Sequence, residues 1–292
     1  MPLDYDIAMK FGVKNAPAAY SRESAMLYAL GLGFGRDPLD AQELRFVYEK
    51  QQVAVPTIAT LLANAGQSAA GELGINLNLL LHGEQAMQFH QPMPASADTL
   101  VDQRVIDIYD KGEGKGAVIL IETAARLKES GAPLVTQVTT LFARGDGGFM
   151  KPGQASHSEQ PRAHKIPDRT PDLVDEFQTR PDQALLYRLS GDFNPLHAEP
   201  AFAARAGFDR PILHGLCTYG ICGRAVLKHA VNYDASRIAR INARFSSPVL
   251  PGETILTELW QDGDQVSFRA SVKERGVVAV NNGLCEIVGS RT

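Results

Sequence analysis

Cysteine is scarce: Cys217, Cys222 and Cys285 are the three among 292 residues. Their number is odd, and Cys217 and Cys222 are too widely spaced for a Cys-x-x-Cys motif, which argues against a disulfide framework or a zinc site and fits a reducing compartment. Three buried thiols acting as small hydrophobes are expected. A basic surplus is also missing. Lys+Arg 29 against Asp+Glu 33 leaves a formal net charge of -4, and a general nucleic-acid binder normally carries the opposite balance to neutralise phosphates. No apolar run approaches about 18 residues, so no membrane span is expected. Residues 1–10 contain Asp4 and Asp6 and have no apolar core, unlike a secretory signal. The last residues, Ser290-Arg291-Thr292, differ from the Ser-Lys-Leu peroxisomal address. A cytoplasmic protein is the expectation.

What is present is an ordinary globular balance, 44% hydrophobic and 21% charged, long enough for two domains or one large body. Residues 151–171 stand apart, with Pro152, Pro161, Pro167 and Pro171 among Gly, Ser, His, Gln and Arg. They read as a linker, because Pro interrupts both helix and ladder. His157 and His164 within it are expected to be solvated. The linker separates residues 1–150 from 172–292, and these halves look like diverged copies. Ala25–Gly31 resembles Ala184–Ser190, Leu81-His82-Gly83 recurs as Leu213-His214-Gly215, and Phe89-His90-Gln91-Pro92 recurs as Phe245-Ser246-Ser247-Pro248.

Each half reads as helix followed by a strand meander. Thr179 is a candidate N-cap for a helix with an apolar stripe of Leu185, Leu186 and Leu189. A second helix is expected from about His214 to His229, where His229 would complement the dipole. It carries Gly215, Gly220 and Gly223, each costing about 1 kcal/mol against Ala, so something must pack closely on its backbone. Tyr219, Val226 and Leu227 are assigned to the core. Strands are predicted at Thr254–Trp260, Gln265–Lys273 and Val277–Val288, with turns at Asp262-Gly263 and Arg275-Gly276; in the first half they fall at Leu100–Tyr109, Ala117–Leu127 and Leu134–Phe142, with Lys111–Gly116 as a hairpin turn. Gly31-x-Gly33-x-Gly35 lacks the strand–glycine–helix order of a nucleotide loop and reads as a surface turn.

The densest polar segment is Tyr187-Arg188-Leu189-Ser190-Gly191-Asp192-Phe193-Asn194-Pro195-Leu196-His197. Gly191 and Pro195 forbid a continuous helix, so a shaped loop can aim several groups at one point. Asp192 and His197 around one water would form an acid–base pair, with Asn194 fixing that water. The alternative is a pair of Asx-turns, with Asp192 and Asn194 bonding local backbone. Aligning Tyr28 with Tyr187 places Gly33, Gly35 and Pro38 opposite Asp192, Asn194 and His197. The first copy has none of the three polar groups, which points to chemistry in the second. A helix starting near His214 leaves the Gly215 N–H without an intrahelical acceptor, suited to an oxyanion; alternatively Gly215 simply starts a tightly packed helix.

The 187–197 segment, Ala206-Gly207-Phe208-Asp209 and Pro211–Thr218 together resemble the type 2, (R)-specific enoyl-CoA hydratases, the MaoC-like family. The resemblance extends through His82-Gly83-Glu84-Gln85 and Gly145–Phe149. It implies an α+β double hot-dog fold, two repeats of a long antiparallel sheet around a central helix, with a non-catalytic first half accommodating the acyl chain. It also implies reversible hydration of a trans-2-enoyl-CoA to a (3R)-3-hydroxyacyl-CoA. By motif, Asp192 and His197 become the acid–base pair, Asn194 orients water, Gly215 holds the thioester oxygen, and His82, Gly83, Lys111 and Phe245 contact the substrate. The acyl-CoA is the expected partner, with no cofactor and no metal, and the chain is expected to form a homodimer. Two other readings remain open: a non-catalytic acyl-CoA-binding protein and a thioesterase.

Overall fold

Residues 3–64, 73–76, 79–151, 156, 159 and 162–289 are described by the computed structural model. The first half contains α1 (Tyr5–Ala8), β1 (Gly12–Tyr20), α2 (Arg22–Gly31), α3 (Ala41–Val47), a 3-10 helix at Pro56–Asn64, β2 (Leu80–Phe89), β3 (Ala97–Asp110), β4 (Ala117–Leu127) and β5 (Pro133–Ala143). The second contains β6 (Leu173–Gln178), α4 (Gln183–Tyr187), α5 (Pro200–Arg205), α6 (Gly215–Ala230), β7 (Ile238–Phe245), β8 (Thr254–Asp262), β9 (Gln265–Val272) and β10 (Val277–Ile287). β3, β4, β5, β8, β9 and β10 lie close to where apolar runs and glycine-bearing turns predict them, whereas β1, β2, β6 and β7 are strands that the sequence reading did not place.

All ten strands form one antiparallel sheet in the order β1-β3-β4-β5-β2-β7-β10-β9-β8-β6. From either edge inwards the two halves have the same connectivity, as an internal duplication requires. They join where β2 pairs with β7, Glu84 opposite Arg244 and Gln88 opposite Arg240. The Phe89 and Phe245 segments are true counterparts, each ending its strand. Leu81-His82-Gly83 and Leu213-His214-Gly215 are not, since the former lies in β2 and the latter opens α6. That three-residue likeness is coincidental in fold, although both histidines reach the same cleft.

The central elements differ between halves. The second half wraps around the sixteen-residue α6; the corresponding span of the first holds the 3-10 helix Pro56–Asn64. Each glycine of α6 has a close neighbour. A Cβ on Gly220 would lie 2.5 Å from Leu32, and one on Gly223 would lie 3.1 Å from Thr57. Both neighbours belong to the first half, so these glycines let the halves dock. Beside them, Arg224 on α6 pairs with Glu43 on α3, and Glu43 also accepts from Tyr233 Oη at 3.1 Å and the Gly35 N–H at 2.9 Å.

Several local expectations change. Thr179 Oγ1 donates to the Glu253 carbonyl, so it is not a cap, and α4 begins after Asp182. Its buried face is Gln183, Ala184 and Tyr187, while Leu185 and Leu189 are exposed. The helix ends too soon for a leucine stripe to form. Gly33 is buried against Phe177 rather than on a surface turn. The linker is pinned across the sheet: Ser156 Oγ donates to Ile108 O, and Asn282 Nδ2 to His164 O. His164, expected in solvent, is half-buried and 2.8 Å from Ser267 Oγ. His157, Pro152 and Pro161 lie outside the described residues. A cavity of about 520 Å³ sits beneath the linker, lined by Ile106, Leu120, Val138, His164 and Asn282 among others. None of Asp192, Asn194, His197 and Gly215 lines it. The cysteines are buried and unpaired as expected, as are Tyr219, Val226 and Leu227. His229 bonds Asp175 across to β6 at 2.8 Å.

Candidate active site

The loop after α4 is shaped by its own side chains. A 3-10 turn at Arg188–Ser190 stops at Gly191, whose φ of 111° suits glycine. Asp192 Oδ1 then accepts the Asn194 N–H at 3.2 Å, and Asn194 Oδ1 accepts the Leu196 N–H at 3.0 Å. Both Asx bonds weighed from the sequence are therefore made. Asn194 caps a second 3-10 turn, Pro195–His197, with Pro195 at its first position. The result delivers His197 inward, 8% exposed, beside the partly exposed Asp192.

His197 Nδ1 lies 2.8 Å from the Ile212 carbonyl. A carbonyl only accepts, so Nδ1 carries the proton and Nε2 keeps its lone pair. His214 stacks on His197 with ring centroids 3.7 Å apart and 27° between planes. Its Nε2–H donates to the backbone carbonyl of Asp192 at 3.1 Å, and its Nδ1 has no hydrogen-bond partner. An oxygen of the Asp192 carboxylate and a nitrogen from each ring lie within 4.8 Å of one another.

His214 is the N-cap residue of α6, and Gly215 is its first residue. The Gly215 N–H thus belongs to the first turn, where no carbonyl lies four residues back within the helix. A Cβ at Gly215 would come 3.3 Å from the Phe245 ring, so glycine both opens the helix and seats that ring. The His82 ring meets Phe245 edge-on at 5.0 Å. His82 Nε2 lies 3.2 Å from Glu84 O and 3.1 Å from Gln85 Oε1. The β2–β5 register slips between His82 and Glu84, making Gly83 a bulge, a device that re-aims neighbouring side chains.

The structure therefore gathers Asp192, His197, Gly215, Phe245, His82 and Gly83, from both halves, into one site. Asn194 stands at its rim, exposed and acting as a cap. Lys111 sits apart on the exposed β3–β4 turn, with β4 and β5 between its strand and β2. Sequence reasoning missed the side chain of His214. Its signal was the imidazole just before Gly215, read there only as the point where a helix starts.

The three cleft histidines are held neutral. Burial pushes His214 down to about 4, helped by the neighbouring His197 and opposed by Asp192. Burial likewise lowers His82 to about 4, against its bonds to Gln85 and Glu84, and lowers His197 against its Ile212 bond and Asp192. Below the ordinary value of 6.5 the unfolded chain takes up protons that the folded chain refuses, so acid favours unfolding. Urea unfolding is expected to show nearly constant stability above about pH 7 and a progressive loss towards about pH 5, before the carboxylates titrate. Unchanged stability over that interval would contradict the assignment.

The geometry can be set beside known proteins. A model described as a MaoC like domain matches residues 162–282, and one described as the MFE-2 hydratase 2 N-terminal domain matches residues 19–145. Enoyl-CoA hydratase 2, peroxisomal, of Arabidopsis thaliana is 39% identical over 92% of this chain and 91% of its own length. The chain belongs to the MaoC-like hydratase family. Another relative of this MaoC-like chain, 3-hydroxyacyl-thioester dehydratase Y of Mycobacterium tuberculosis, is 42% identical over 87% of this chain and 86% of its own. Among solved structures, a MaoC-like dehydratase from Phytophthora capsici superposes with a TM-score of 0.85 at 34% identity, covering 98% of this chain and 99% of that one. A Mycobacterium tuberculosis protein described as having a double hotdogfold matches at a TM-score of 0.57 and 11% identity, covering 98% of each chain; that likeness is of fold alone. The double hot-dog architecture implied by the sequence is the one observed. No helix among the described residues is long and apolar enough to cross a membrane.

Proposed function

We propose that this chain catalyses the reversible addition of water to a trans-2-enoyl-CoA, giving a (3R)-3-hydroxyacyl-CoA. The observation that carries this reading is the Asp192 carboxylate near the His197 imidazole, its Nε2 lone pair left open by the Ile212 bond, with the first-turn N–H of Gly215 next in sequence to the His214 ring that stacks on His197. Water held between Asp192 and His197 attacks the β-carbon, and a proton from the same pair reaches the α-carbon. The charge that builds on the thioester oxygen is met by the Gly215 N–H. Asp192 and His197 act as one coupled unit, so neither alone is the base. Asn194, whose Oδ1 is taken by its cap, donates to the water through Nδ2. His82, Gly83 and Phe245 wall the thioester, and Lys111 meets the CoA portion at the sheet end.

The reading needs no metal or cofactor. Both halves of one chain supply the cleft, so each chain carries one site; we also assign a homodimer, checked by sedimentation. The activity test incubates the protein with crotonyl-CoA and a longer enoyl-CoA, resolves product chirality and measures free thiol. An (R) product without thiol release, unchanged after dialysis against a chelator, is expected. An (S) product, or CoA release without hydration, overturns the reading; release would favour a thioesterase.

A further inference from the structure

We propose that His214 is a positioning residue for hydration: its Nε2–H, bonded to the Asp192 carbonyl, holds the turn bearing Asp192 against the start of α6. The inference rests on the hydratase reading above. Residues Gly191, Phe193 and Asn194 are exposed, and the turn's remaining hydrogen bonds are local: Gly191 N–H to Arg188 O, Asn194 N–H to Asp192 Oδ1, Leu196 N–H to Asn194 Oδ1 and His197 N–H to Asn194 O. Among the described residues, the His214 bond is the one hydrogen bond tying residues 191–194 to chain outside 188–197. Without it, the loop is still held at its His197 end by the Ile212 bond, but residues 191–194, Asp192 among them, keep only local hydrogen bonds.

His214 makes a firm anchor. It is 1% exposed, its ring lies between His197 at 3.7 Å and Tyr187 at 5.0 Å, and its carbonyl accepts from the Cys217 and Thr218 N–H groups at 3.1 and 3.2 Å. One residue thus adjoins all three groups: its ring stacks on His197, which the Ile212 bond already fixes, its Nε2–H holds Asp192, and Gly215 follows it in sequence. Held neutral by burial, it supplies a donor without adding charge beside the acid–base pair. Its side chain need not touch the substrate.

The test compares kcat and KM of His214→Phe and His214→Gln with wild type, alongside thermal unfolding. Phe keeps a stacked ring and loses the donor; Gln sets an amide nitrogen close to the imidazole Nε2. Expected are a fall in kcat of up to about a hundredfold in His214→Phe, the scale of a 1 Å misplacement, with KM little changed, and recovery of most of kcat in His214→Gln. Wild-type kcat in His214→Phe, or an equal loss in both variants, overturns the proposal. Should His214→Phe fail to fold, His214→Asn, too short to reach the Asp192 carbonyl, takes its place with the same expected loss, and a wild-type kcat there overturns it. A wild-type protein that hydrates nothing refutes the hydratase reading itself; a working wild type with unaffected variants refutes only the role of His214.

Discussion

Asp192→Asn lowers kcat for enoyl-CoA hydration by about 10²–10⁴-fold, the range typical of a lost acid–base group. The substitution is nearly isosteric, and its side-chain oxygen can still accept the Asn194 N–H that closes the turn. The loop therefore survives while the charge beside His197 disappears. His197→Gln produces a loss of similar size, because it removes the ring nitrogen opposite the Ile212 bond. The double variant is scarcely slower than either single one, since a pair acting as a unit loses its function once. Steady-state hydration of crotonyl-CoA measures all three, and a retained rate in His197→Gln would falsify the assignment of roles.

Arg224→Met lowers unfolding free energy by about 3–5 kcal/mol, the cost of leaving a buried charge without its partner. Glu43 is 2% exposed and Arg224 9%, so neither can turn to water. The guanidinium also lies over the Phe34 and Phe177 rings, 5.6 and 5.3 Å from their centroids. Adding Glu43→Gln removes the stranded charge; its amide oxygen accepts the Gly35 N–H and its amide N–H donates to the Tyr233 hydroxyl, which accepts as well as donates, so the double variant recovers most of the loss. Urea unfolding of the two variants checks both statements. A cost below about 1 kcal/mol for Arg224→Met, the level of a surface pair, would show that the pair is solvated.

The strands of the two meanders, β3–β5 and β8–β10, were legible with their turns because their signals are local, whereas β1, β2, β6 and β7 were not placed. The stretch 117–127 opens on an apolar, largely β-branched run, Ala117-Val118-Ile119-Leu120-Ile121, preceded by the Lys111–Gly116 turn, and it is observed as β4 with those bounds. The 187–197 loop was legible for the same reason, and the Asx-turns weighed against chemistry there are made without excluding it. The turns are the means by which His197 is delivered to Asp192. What stayed hidden depends on chain segments far apart. Glu43 and Arg224 meet across 181 positions, and no local pattern announces that. His82 reaches the cleft through a bulge in β2, visible only once β5 is paired with it. Leu185 and Leu189 form a plausible stripe on paper, yet a five-residue helix turns only one short face to its neighbour.

Gly33 sits where the first half would carry its own copy of Asp192. The φ of 86° there is costly for any side chain, and a Cβ would strike the Phe177 ring on β6. Phe177 in turn carries the Arg36 guanidinium 4.2 Å above its ring, and Arg36 reaches the Gln178 carbonyl and Gln183. The space a second carboxylate would need has become mortar between the halves. A side chain placed at Gly33 would breach this joint between the halves. The asymmetry of this chain is thus locked by steric fit: the position opposite Asp192 is spent on holding the two halves together.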